Sequence, residues 1–134
     1  MTRRTVVIED AHQATAPTNN NVRIVEGGCL VQYGQLNGDA TVESGGVLEQ
    51  YGQVNGDIYA HGSVTLFGQV NGDVHAFPGS NVLIAEGVML NSRHSPRYVA
   101  PDGTFRPLAT GEIFTTQVGS KMWRLNPDGQ LSSA

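Results

Sequence analysis

The sequence predicts an all-β fold: a single-stranded β-solenoid of about four coils, closed by a non-repetitive C-terminal cap. Three observations carry that expectation. The heptapeptide YGQLNGD at 33–39 returns as YGQVNGD at 51–57 and as FGQVNGD at 67–73. Between copies, apolar residues alternate for only a few positions before Gly interrupts, as in I-Y-A and V-H-A, which is strand-length, period-two patterning. The repeat of 16–20 residues is too short for a helical-hairpin repeat of about 34. It suits one coil of three short faces, with Gly and Asn at the corners.

Taken in order along the chain, residues 1–21 end in ATAPTNNN and read as a flexible N-terminal arm, within which VVI is a candidate short strand. Residues 22–91 hold the repeats. Leu30, Leu48, Val64 and Val82 fall in one apolar column, and Leu36, Val54, Val70 and, weakly, Leu90 in another. Ala40, Ile58 and Val74 make a third, and Val42, Ala60 and Ala76 a fourth, with Val22 and Ile24 as an earlier partial copy. Stacking puts like residues about 4.8 Å apart, so inward side chains too small to make a core singly form a continuous one together. Residues 92–134 lack the repeat and read as a β-rich cap over an open solenoid end. Pro-Asp-Gly turns lie at 101–103 and 127–129, and GEIFTTQV and KMWRL are candidate strands.

Within the motif, Gly34, Gly52 and Gly68, with Gly38, Gly56 and Gly72, are expected to supply corner dihedrals that a Cβ penalises. Asn37, Asn55 and Asn71 are placed to hydrogen-bond along the stack or to take a left-handed turn conformation. Tyr33, Tyr51 and Phe67 form an aromatic column whose rings can pack coil upon coil. The motif is read as a coil corner, a structural element before anything else.

Charge narrows the function. Residues 22–90 carry seven acids against one base, Arg23, while 91–134 carry five bases against three acids. An acidic body with a thinly basic tail is a poor nucleic-acid surface, which needs clustered Lys and Arg. The lone Cys29 allows no intrachain disulfide and no Cys-rich zinc site. Arg3 and Arg4 precede no long apolar run, so neither a signal peptide nor a membrane span is read and a cytoplasmic location is expected.

Asp39, Asp57 and Asp73 are the residues most suggestive of chemistry, because the register stacks them. A cation site or a paired-carboxylate hydrolase is one reading. The preferred reading has each carboxylate accepting hydrogen bonds from backbone N–H groups at its own corner, with no catalytic, metal or cofactor role. His12, His61, His75 and His94 do not align with one another and lack zinc-ligand spacing. Cys29 shares its repeat position with Val47 and Ser63, where ordinary small residues suffice, and no nucleophile elbow or phosphate-binding loop is present. In the tail, Arg97, Arg106, Trp123 and Arg124 are candidate partner-binding residues, weighed against a small cap core built from Tyr98, Phe105, Phe114, Met122 and Trp123.

The G-x-V-x-G-D-hydrophobic pattern, GQVNGDIYAHGSVTLFGQVNGDV at 52–74, resembles the bactofilins. That resemblance covers residues 22–91. It implies a right-handed β-helix core in a polymer-forming cytoskeletal protein. A folded C-terminal region would confine stacking to the N-terminal coil, giving a dimer or short oligomer. The repeated coils also look, more loosely, like β-solenoid immunity proteins that occlude bacterial toxins. The expected function is therefore non-enzymatic self-association, the alternative an inhibitor of a basic protein partner, and the third a carbohydrate-active solenoid using the Asp column.

Overall fold

The computed structural model describes residues 5–91, 96–99, 104–107, 121–128 and 130–133. No helix occurs among them, and the strands stack as a solenoid. Face A is a five-stranded parallel sheet of β1 (Thr5–Ile8), β3 (Asn21–Ile24), β5 (Ala40–Val42), β7 (Ile58–Ala60) and β9 (Val74–Ala76), hydrogen-bonded in that order. Face B stacks β2 (Ala11–Ala14), β4 (Cys29–Gln32), β6 (Val47–Gln50), β8 (Ser63–Leu66) and β10 (Asn81–Ala85) the same way. Face C is narrower, a run of single parallel bridges linking Thr18, Leu36, Val54, Val70 and Leu90. These five rungs are joined by four steps, so the chain makes about four turns.

The expected columns are the core. Leu30, Leu48, Val64 and Val82 stack on face B, Leu36, Val54, Val70 and Leu90 on face C, and all are buried. On face A large and small residues trade places from rung to rung. Ala40 with Val42 sits over Ile58 with Ala60, and all four are fully buried. Each rung thus fills a similar cross-section, as close packing requires.

The arm expected over residues 1–21 is, from Thr5 onward, a rung of the stack. Val6 and Ile8 lie in register with Val22 and Ile24, and Ala11–Ala14 with Cys29–Gln32. It places an exposed His12 in register with Leu30 and a half-buried Thr18 with Leu36, where later rungs have buried Leu or Val, which hid it in the sequence.

The C-terminal region departs from the parallel stack. On face B, β14 (Met122–Leu125) adds antiparallel to β10, and β15 (Leu131–Ser133) adds antiparallel to β14. Beyond face C, β11 (Met89–Asn91), β12 (Pro96–Val99) and β13 (Phe105–Pro107) form an antiparallel sheet. Phe105, Met122 and Leu131 pack against the main core beside buried Val99, Trp123 and Leu125. KMWRL thus supplies a strand, while GEIFTTQV, Phe114, His94 and the turn at 101–103 lie outside the described residues.

Candidate functional site

The repeated heptapeptide builds the corner between faces B and A, across face C. Two ladders run up it. Asn37 Nδ2 donates to Asn19 Oδ1 at 2.7 Å, Asn55 Nδ2 to Asn37 Oδ1 at 2.8 Å, and Asn71 Nδ2 to Asn55 Oδ1 at 2.7 Å. Two residues on, the backbone N–H of Asp39 donates to Asn21 Oδ1 at 2.9 Å, that of Asp57 to Asp39 Oδ1 at 2.8 Å, and that of Asp73 to Asp57 Oδ1 at 2.8 Å. The sequence expectation placed these acceptor bonds within each corner. Asn21, Asp39 and Asp57 instead each reach one rung onward and clamp the next coil, because the register sets the side chain of one rung beside the backbone of the next.

The motif glycines serve for a different reason from the one expected. Positive φ occurs at Gly27, Gly45, Gly79 and Gly87, and at none of the motif glycines. What the motif requires is close approach. A Cβ on Gly56 would stand 2.4 Å from the Gly38 carbonyl oxygen and 2.5 Å from Asp39 Oδ1. On Gly52 it would stand 2.3 Å from the Gly34 carbonyl oxygen. Gly56 and Gly72 thereby make room for the carboxylate clamp and Gly38 for the Asn21 amide oxygen in the same ladder, while Gly34, Gly52 and Gly68 make room for the backbone below them.

Aromatic rings stack along the outside. Tyr33 and Tyr51 stack with ring centres 5.1 Å apart and Tyr51 and Phe67 4.8 Å apart, their planes nearly parallel. Tyr33 is 48% exposed and Tyr51 43%, but the inner faces of these rings are taken by one another. Packing strips hydration from the Tyr51 hydroxyl and, with the Glu49 carboxylate and Tyr33 beside it, pushes its pKa above the usual tyrosine range. His75 stacks on Tyr59 at 4.9 Å and His61 on Phe77 at 4.2 Å, so both histidines extend aromatic columns rather than meet each other.

Gln32 and Gln50 were not anticipated. Both are fully buried in the column that continues to Leu66 and Ile84. Gln32 Nε2 donates to the Gly34 carbonyl at 3.2 Å and Gln50 Nε2 to the Gly52 carbonyl at 3.0 Å, satisfying corner groups from inside. Gln50 Oε1 has no partner among the described residues. The sequence signal was available: Gln precedes Tyr33 and Tyr51, whereas Leu66 precedes Phe67.

Of the candidate partner-binding residues, Trp123 is only 7% exposed and belongs to the core, with the Lys121 ammonium 4.5 Å from its ring centre. Arg124 is exposed and donates to Asn81 Oδ1 at 3.2 Å. Arg97 lies opposite Pro107 and Arg106 opposite Tyr98 in the β12–β13 pair, and their side chains lie outside the described residues. Trp123 therefore cannot anchor an exposed patch in this arrangement. Cys29 is half-buried in register with Val47, as expected from its repeat position. No cluster of three metal-ligating side chains and no helix long and apolar enough to cross a membrane occurs among the described residues.

The remaining surface of interest is the N-terminal end. β1 and β2 are the outermost strands of their sheets, and neither has a further neighbour among the described residues. Ile8 C=O accepts from Val25 N–H at 3.1 Å, so the polar groups of Ile8 face β3 and those of Val7 face outward. Ala14 C=O accepts from Tyr33 N–H at 2.8 Å, so Gln13 likewise turns its N–H and C=O away from β4. Val7 is 49% exposed on the same edge. The chain matches no protein-family model, and no curated protein or solved structure is significantly similar to it.

Proposed function

We propose that this chain is a non-enzymatic assembly module that associates through its N-terminal end, in the manner of the bactofilins it resembles in sequence pattern. The observation that carries the reading is the asymmetry of the two ends. The N-terminal rung offers two parallel edge strands with outward-facing backbone groups, a ready template for pairing with another chain. At the other end face B is continued by antiparallel β14 and β15. A protein partner in the cytoplasm fits this arrangement. The Asp column supports the non-catalytic side of the proposal, since Asp39 and Asp57 each commit an oxygen to the next rung's backbone.

Light scattering across a wide concentration range tests it. Mass should rise with concentration for the native chain. It should stay at the monomer value in Val7→Pro combined with Gln13→Pro, which removes outward N–H groups from the edge while leaving the inward pairing intact. A native chain that is monomeric throughout would sink the proposal and turn attention to a heterologous partner, as an immunity protein has. So would an assembly that ignores both prolines.

A further inference from the structure

Face A ends unlike its neighbours. Among the described residues no strand follows β9, whereas β10 beside it is continued by two more. Val74 and Ala76 share the register of Ile58 and Ala60, which are fully buried, yet both are only half-buried. The backbone shows the same incompleteness. At this register Val22 N–H donates to Asp39 C=O, Ala40 N–H to Asp57 C=O and Ile58 N–H to Asp73 C=O, each one rung on. Val74 occupies the next position, so its N–H points past the last strand, and by alternation that of Ala76 does too.

A second observation is independent of the first. Asn21, Asp39 and Asp57 each hold the backbone N–H of the residue stacked beyond them. Asp73 is the next member of that column, and no rung stands beyond it on this face among the described residues. A notch lies here, walled by Val74, Ala76 and Phe77 on one side and Leu125 and Pro127 on the other.

We infer that this notch is a docking site for an extended peptide segment of a partner protein, which adds to β9 as the missing strand of face A. Its chemistry follows from the groups that wait for it. Two apolar side chains, two positions apart, cover Val74 and Ala76. A planar ring between them lies on His75 and prolongs the Tyr59–His75 stack. The N–H of the residue before the first apolar one meets the Asp73 carboxylate. Asp57-Ile58-Tyr59-Ala60 presents this pattern to β9 from its other side. A second copy's intact first coil does not fit, because β14 and β15 stand beyond β10 where that copy's β2 would have to lie. A lone strand enters where a coil is shut out.

The test is fluorescence anisotropy of a labelled peptide copying residues 55–62, NGDIYAHG, titrated with the full chain. Saturable binding is expected. It should weaken about tenfold or more in Ala76→Pro, which removes an outward N–H but leaves the β7 side alone. Asp73→Ala, a surface change that guards against a folding defect in the proline variant, should also weaken it. Val7→Pro at the opposite end should leave it unchanged. Absence of saturation up to about 1 mM peptide overturns the inference, and so does equal binding by native, Ala76→Pro and Asp73→Ala chains. If Ala76→Pro instead lowers the mass of the protein's own assemblies, the occupant is a second copy and the inference is again overturned.

Discussion

Two corners of the same coil obey different rules. The corner written as Y/F-G-Q-x-N-G-D recurs almost letter for letter, while the corner between faces A and B is four residues long at Glu43–Gly46 and two at His61–Gly62. That loss of two residues accounts for the step from Val54 to Val70 being 16 where the two before it are 18. At the first corner, backbones and carboxylates of successive rungs approach so closely that neither a Cβ nor an extra residue has room. At the second, Gly28, Gly46 and Gly62 meet the neighbouring rung as closely, a Cβ on Gly62 standing 2.2 Å from the Glu43 carbonyl oxygen, but Gly27 and Gly45 take positive φ at an exposed turn that can lengthen or shorten outward. Glycine marks where rungs touch at both corners, and length varies only where the turn stands clear in solvent.

The comparison can be broken or sharpened by substitution, with stability read from urea unfolding midpoints. The largest effect is expected from Gly56→Ala. Its Cβ meets a carbonyl oxygen and a carboxylate at 2.4 and 2.5 Å, and neither can move without shifting a rung, so the loss should be about 3 kcal/mol or more. A loss below 1 kcal/mol (about the cost of a helix-interior glycine exchange) would show that the close approach is relaxed in solution. Asp57→Ala should cost about 1–2 kcal/mol by stranding the Asp73 N–H, whereas Asp57→Asn, which keeps an acceptor oxygen, should recover most of it. Deleting Ser44 and Gly45 converts the long corner into the short form already present at His61–Gly62. The expected cost is about 1 kcal/mol or less, and a cooperative loss of the fold would show that the two corners are not so different. Smallest of all is Gln50→Leu, within about 1 kcal/mol, since it forfeits a bond to Gly52 but removes an unpartnered buried oxygen and copies Leu66 one rung on.

These corners also explain what could be read in advance. The apolar columns were legible because a solenoid repeats its environment, so a residue such as Leu48 announces the position of Val64. The first rung was not, because the polar His12 and Thr18 stand in register with Leu30 and Leu36 and Ala14 with the polar Gln32; only Val6 and Ile8, sixteen before Val22 and Ile24, pointed to it. The role of the motif glycines was misassigned for a related reason. Glycine at a turn suggests a left-handed dihedral, and only the stacking distance reveals that Gly56 is there for space. Between an exposed anchor and a cap core the sequence left Trp123 open, because its strand partners, β10 and β15, pair antiparallel and lie outside the parallel rule of the repeats.

The asparagine column has a consequence for how such molecules meet. Every amide in it donates toward the N-terminal rung, so turning one over would set two oxygens or two NH2 groups face to face. The column can therefore reverse only as a whole, and its dipoles add. Rungs that look interchangeable are threaded on an arrow. Two chains that join by like ends must bring opposing arrows together at the seam, whereas any strand that adds beyond Asp73 inherits the direction already laid down.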